Sequence, residues 1–163
     1  MRRIVLPLAA LWLVAGLAAA EGTETTRGAR MRITINEHQF VVELADNDTA
    51  RAFAGLLPLK LKMSDLHGNE KYHNLGTRLP SRPENPGRIH AGDLMLFGDD
   101  CIVLFYKDFS TSYSYTRIGR LENAAGLAGV VGRGAVTAEF GVGATGTGGE
   151  KTGGGCARLR TST

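Results

Sequence analysis

Between residues 31 and 140 the chain alternates apolar and polar positions with a period of two at several places. Met31, Ile33 and Ile35 are separated by Arg32 and Thr34, and Phe40, Val42 and Leu44 resume the alternation after Asn36-Glu37. Side chains of a strand point alternately to opposite faces, so this spacing around a turn predicts a β-hairpin. Asn47-Asp48-Thr49 then supplies a cap and first-turn acid for a helix in which Ala50, Phe53, Ala54 and Leu57 share one face, ended by Pro58. Leu59, Leu61 and Met63 alternate with Lys60 and Lys62 as a half-exposed strand. Asp93 to Phe97 and Cys101 to Tyr106 are apolar on both faces and flank Gly98-Asp99-Asp100, which predicts a second hairpin packed on its inside and covered on its outside. Phe109 to Arg117 alternates aromatic and hydroxyl residues, a third strand signal. Asn123 is placed to cap a short helix through Val130, ended by Gly132, and Ala135 to Phe140 reads as the last strand. Many short strands with two short helices predict a mainly β fold, a closed or nearly closed barrel.

One stretch breaks the pattern. Ser64 to His90 holds Pro80, Pro83 and Pro86 with little periodicity, and a long excursion of this kind in a small domain is often either functional or mobile.

The 163-residue length fits one domain, and the two ends differ from the body. Met1-Arg2-Arg3 is followed by an apolar run from Ile4 that closes on Ala18-Ala19-Ala20. A positive start, an apolar run and small residues at the cleavage point are the requirements of a secretory signal peptide. Residues 1–20 are therefore expected to be removed, leaving a periplasmic or secreted protein with no membrane attachment. Residues 21–30 read as a polar, disordered lead and 141–163, with eight glycines, as a disordered tail, which leaves 31–140 as the domain.

The formal charge of +3 divides unevenly. Residues 1–20 carry +2, residues 141–163 another +2, and the body is left at −1, so the basic character does not belong to the domain and a nucleic-acid partner is not expected. Of the two cysteines, Cys101 sits in an apolar strand and Cys156 in the Gly-rich tail, and they are read as separate thiols.

Four stretches carry a resemblance: NDTARAF at 47–53 leading into LLPL at 56–59, MSDLHGNEKY at 63–72, NPGRIHAGDLML at 85–96 and LFYKDFSTSYSYTRIG at 104–119. Together they resemble the small bacterial cyclophilin-like domain family over Met31 to Phe140. The resemblance implies a compact antiparallel β-barrel closed by two short helices. It implies no settled reaction and transfers no catalytic residue. The arginine motif with which true cyclophilins twist X–Pro bonds is not found here.

The residues themselves offer few reactive sets. His67 and His73 flank Glu70 at a spacing that matches no zinc motif, and no P-loop, nucleotide fingerprint or HExxH is present, so no metal and no cofactor is expected. His90 and Asp93 read as groups that satisfy backbone at the start of a strand. The best candidate surface is the aromatic–hydroxyl segment. On a continuous strand Phe109, Tyr113, Tyr115 and Arg117 share one side, which either packs the barrel, with the hydroxyls of the other side facing water, or offers a ligand stacking, phenolic hydrogen bonds and a guanidinium. The leading expectation is a binding module for a small molecule or peptide. The alternatives are a weak peptidyl-prolyl isomerase, with Arg51, Arg88 or Arg117 to test, and a scaffold for protein contacts.

Overall fold

The computed structural model describes residues 28–143. The expected signal segment, residues 21–27 of the lead, residues 144–163 of the tail and Cys156 lie outside the described residues.

Ten strands and two helices follow one another: β1 (Arg30–Ile35), β2 (His38–Leu44), α1 (Asp48–Ala54), β3 (Leu59–Leu66), β4 (Glu70–Asn74), β5 (Arg88–Ile89), β6 (Asp93–Phe97), β7 (Cys101–Phe105), β8 (Phe109–Ser110), β9 (Thr116–Leu121), α2 (Leu127–Val131) and β10 (Val136–Val142). Eight strands close an antiparallel barrel in the order β1-β10-β3-β4-β7-β6-β9-β2, and β5 pairs with β8 in a separate two-stranded sheet. The mainly β barrel with two helices is the fold that the sequence pattern and the resemblance implied.

Local chemistry explains the elements. In the first hairpin Ile35 faces His38 across a two-residue turn, and Asn36 and Glu37 both take positive φ, 46° and 66°. That is the backbone hand a tight hairpin demands. At α1 the Asn47 side chain accepts the Ala50 N–H at 2.8 Å, a true N-cap. In the β6–β9 pairing the register slips between Leu94 and Met95, so Ile118 and Gly119 both turn towards the interior. Gly119 lies so close to β2 that a Cβ there would sit 2.5 Å from the Glu43 carbonyl oxygen.

The interior is filled by Met31, Ile33, Ile35, Val42, Leu61, Met63, Leu94, Leu96, Ile102, Leu104, Ile118, Ala138 and Phe140 from the strands. Phe53 from α1 meets Phe140 edge-on at 5.6 Å, and Leu127 and Val131 enter from α2. A second, smaller cluster of Ile89, Met95, Val103, Phe105 and Tyr115 lies on the outer side of β6 and β7. This explains why those two strands are apolar on both faces.

Five details differ from the sequence reading. The helix expected to run to Leu57 stops at Ala54, where the Gly55 N–H closes on the Arg51 carbonyl, and Leu56 and Leu57 pack on the core without helical geometry. The second helix begins at Leu127 because Asn123 caps a turn, accepting the Ala125 N–H at 2.9 Å. The 64–90 excursion is half wall: β3 runs to Leu66 and β4 returns from Glu70. The segment 109–117 is not one strand, since β8 ends at Ser110 and β9 begins at Thr116. The last strand continues past Phe140 to Val142, which pairs with Met31, while Ala29 accepts the Leu44 N–H at 2.8 Å. Strand pairing uses backbone alone, so Gly141 takes part with no side chain to announce it.

No helix among the described residues is long and apolar enough to cross a membrane.

Candidate functional site

The β5–β8 sheet and the chain from Thr111 to Tyr115 lie over the outer face of the barrel wall. Along β4 that face presents Glu70, Tyr72 and Asn74, along β7 Cys101, Val103 and Phe105, and along β6 Met95 and Phe97. The cover is incomplete, and beside it a cleft of about 660 Å³ opens between β4, β7, Phe97, Phe109, Tyr113 and Tyr115.

Aromatic rings make its walls. Phe105 meets Tyr115 edge-on at 5.4 Å and Phe109 at a tilt at 5.6 Å, which locks the inner end. Phe97 packs against Tyr115 at 5.6 Å and against Tyr113 at 6.1 Å. These pairs hold ring centroids at the separations where edge-to-face attraction operates. The outer pair stays open to solvent, with Phe97 45% and Tyr113 64% exposed, whereas Tyr115 is buried.

Three titratable groups in the cleft move in the direction their surroundings dictate. Glu70 is half-buried, and burial pushes its carboxyl up, with His67 pulling back and Asp65 adding a little. Burial also pushes up the Cys101 thiol, with Asp100 and Glu70 reinforcing it, and the Tyr115 phenol, with Glu70 reinforcing it. A thiol held protonated in this way is a poor nucleophile.

A second cleft, of about 620 Å³, lies on the other side of Tyr115 between α1 and the chain from Pro80 to Pro86. Thr49 donates to the Pro80 carbonyl at 2.6 Å, Arg82 N–H to the Thr116 hydroxyl at 2.9 Å, and Glu84 and Tyr115 exchange backbone bonds at 2.9 and 3.0 Å. This cleft is polar, with Arg51, Arg82 and Arg117 set among Asp46, Asp48 and Glu84.

The four candidate residues are therefore divided. Phe109, Tyr113 and Tyr115 come together in the aromatic cleft, and Arg117 does not join them. The strand predicted to put all four on one side is interrupted between Ser110 and Thr116, so the period of two is lost. Arg117 instead borders the polar cleft, 3.5 Å from the Asp93 carboxylate. Asp93 is buried and accepts the backbone N–H of His90 at 2.9 Å, the backbone role read from the sequence. Arg51 pairs with Asp46 and Asp48 at 2.6 and 2.8 Å, Arg88 lies 3.8 Å from Asp108, and none of Arg51, Arg88 and Arg117 lines the aromatic cleft.

Sequence reasoning missed Phe97, Tyr72 and Glu70 as members of the site. The only signal was that Glu70, Tyr72 and Asn74 fall on one face if 70–74 is a strand. It missed also a buried ionic cluster beneath. Lys71, wholly buried, donates to Asp65 at 2.6 Å and to the carbonyls of Gly132 and Gly134 at 2.9 and 2.6 Å. Tyr106 donates to the same Asp65 oxygen at 2.6 Å. The Lys71 ammonium and the Tyr106 hydroxyl hold the Asp65 carboxyl below the usual carboxylate range, and burial with Asp65 beside it pushes the Tyr106 phenol up to about 12. All three ammonium protons are used, so this cluster braces β3, β4 and the chain before β10.

Among the described residues no group of three or more His, Cys, Asp or Glu side chains could hold a metal ion. Residues 33–141 match the model of the cyclophilin-like family. A hypothetical protein from Archaeoglobus fulgidus, known from its solution structure, is similar at 23% identity, with 75% of this chain and 100% of that one covered and a TM-score of 0.49. No curated protein matches the chain.

Proposed function

The chain belongs to the cyclophilin-like family, and from that premise we propose that it is an exported module that binds a small molecule or a short stretch of peptide in the aromatic cleft. The observation that carries this reading is the solvent-open pair of Phe97 and Tyr113 at the mouth of a cleft of about 660 Å³. Large aromatic groups left in water beside a concavity of that size are the usual dress of a ligand site, where volumes run about 300–1,000 Å³. Export is supported by the positive start and apolar run of residues 1–20.

The test is capture of ligand by the full chain purified from its own cell envelope, read by native mass spectrometry. Wild type is expected to carry retained ligand, and Tyr113→Ala to lose it with an unchanged melting temperature. Equal retention by Tyr113→Ala and Phe97→Ala would remove the cleft from consideration.

A further inference from the structure

We infer that the ligand of this cleft carries a cationic nitrogen on an apolar frame, an aryl- or alkylammonium, held by the Glu70 carboxylate and the surrounding rings. This rests on the binding-module reading above and names its ligand class.

The carboxylate is the anomaly. Glu70 lines the cleft half-buried, yet its side chain makes no hydrogen bond and no ion pair among the described residues. Its oxygens still touch solvent in the cleft, and a carboxylate partly withdrawn from water is stabilised by a cation or by donors. The other carboxylates that neighbouring elements turn inward are matched: Asp65 by Lys71 and Tyr106, Asp93 by Arg117, Arg120 and the His90 N–H.

Charge around the cleft has one sign. Asp100 adds a second carboxylate to the lining, and the one group of opposite tendency is His67, exposed and not within ion-pair distance of Glu70. No Lys or Arg lines the cleft. An anionic ligand would meet two carboxylates and no counter-ion. A neutral ligand without a donor would bury Glu70 further with nothing to pair it, and a neutral hydroxyl or amide would donate one hydrogen bond and leave the charge uncompensated. A cation relieves that cost.

The walls agree with the charge. Phe97, Tyr113 and Tyr115 present ring faces and edges around the same space. The face of an aromatic ring carries negative potential and attracts a cation within about 6 Å. An ammonium beside Glu70 with its hydrocarbon frame among these rings satisfies both features at once.

Three probes of one size separate the possibilities: 2-phenylethylammonium, 2-phenylethanol and phenylacetate, titrated into the full chain while the ring signals of Phe97 and Tyr113 are followed by NMR. The ammonium is expected to bind at least tenfold more tightly than the alcohol, with phenylacetate weakest. Glu70→Gln should bring the ammonium within about twofold of the alcohol, and Tyr113→Ala should weaken both. Equal binding of ammonium and alcohol, or tighter binding of phenylacetate, overturns the cationic assignment and leaves the cleft standing as a binding site. Ring signals that respond to none of the three overturn both. The wild-type comparison decides the matter even where a Glu70 variant folds poorly.

Discussion

Replacing Asp65 by Ala should cost far more stability than replacing Lys71 by Met, although the two share one ion pair. The difference follows from what each removal leaves behind. Without Asp65, the Lys71 ammonium stays fully buried with the Gly132 and Gly134 carbonyls and the face of the Tyr106 ring, 5.3 Å away, but no counter-charge. Stripping one partner from a buried charge costs about 3–5 kcal/mol. Without Lys71, Asp65 keeps the Tyr106 hydroxyl and the Gly68 N–H, and its side chain, 20% exposed, reaches water. Both glycines are exposed, so their carbonyls can turn to solvent, and the loss should be about 1–3 kcal/mol. The Asp65→Ala/Lys71→Met pair should then be more stable than Asp65→Ala alone, because the orphaned charge is gone.

Urea unfolding followed by far-ultraviolet circular dichroism measures this, since the only tryptophan is Trp12, outside the described residues. For a domain of this size about 3–5 kcal/mol corresponds to roughly 12–20 °C in melting temperature. pH supplies a second readout. The Asp65 carboxyl is lowered in the folded state, so its contribution is present above its ordinary value of 3.8 and is lost as pH falls through the lower folded value. Tyr106 is raised, so its contribution is present below 10.0 and is lost as pH rises through about 12. Asp65→Asn should flatten the acid limb and Tyr106→Phe the alkaline limb. A Lys71→Met protein as unstable as Asp65→Ala, or a double variant that is worse than either, would refute the reasoning.

The remaining expectations concern the frame and the cleft. Gly119→Ala should destabilise by about 1–3 kcal/mol in urea unfolding, since its Cβ would press on the Glu43 carbonyl of the neighbouring strand β2. Glu37→Gly should raise the melting temperature by a few degrees, because Glu37 is exposed and held at φ 66°, where glycine is unstrained and other residues pay about 1 kcal/mol; an unchanged or lower value refutes it. Tyr115→Ala should cost about 3–5 kcal/mol as a buried aromatic, whereas Tyr113→Ala should leave melting within about 2 °C, and similar costs for the two would contradict their burial. A chain of residues 31–140 should be about 2–4 kcal/mol less stable than one of residues 28–143, having lost the Leu44–Ala29 and Gly143–Arg30 bonds, the Met31–Val142 pairing and the Arg30–Glu122 ion pair; equal denaturation midpoints would place the boundary back at Phe140.

What was legible in the sequence was whatever the hydrophobic effect writes with a period. Met31-Ile33-Ile35 and the doubly apolar β6 and β7 declare a barrel wall because each buried side chain is a separate free-energy gain. Lys71 gives no such signal. Its ammonium sits in the interior only because Asp65, opposite it on β3, is joined there by Tyr106 and two carbonyls from distant parts of the chain, and a lysine between Glu70 and Tyr72 reads as solvent-facing.

The site was legible in half for the same reason. Phe109, Tyr113 and Tyr115 announced themselves as aromatics, but their side of the chain was inferred from a strand period that the backbone abandons between Ser110 and Thr116. The break has a cause outside the segment. Tyr115 is bound on both its N–H and its carbonyl by Glu84, from the proline-rich chain that crosses the barrel wall, while its ring is clamped between Phe97 and Phe105. Those two anchors set the turn of the chain, send Arg117 to the far side, and make Tyr115 the partition between an aromatic cleft that holds an unpaired carboxylate and a polar cleft whose arginines are interleaved with acids. The lining of the aromatic side therefore includes Glu70 and Phe97, which enter from β4 and β6, and no spacing within 109–117 could have named them.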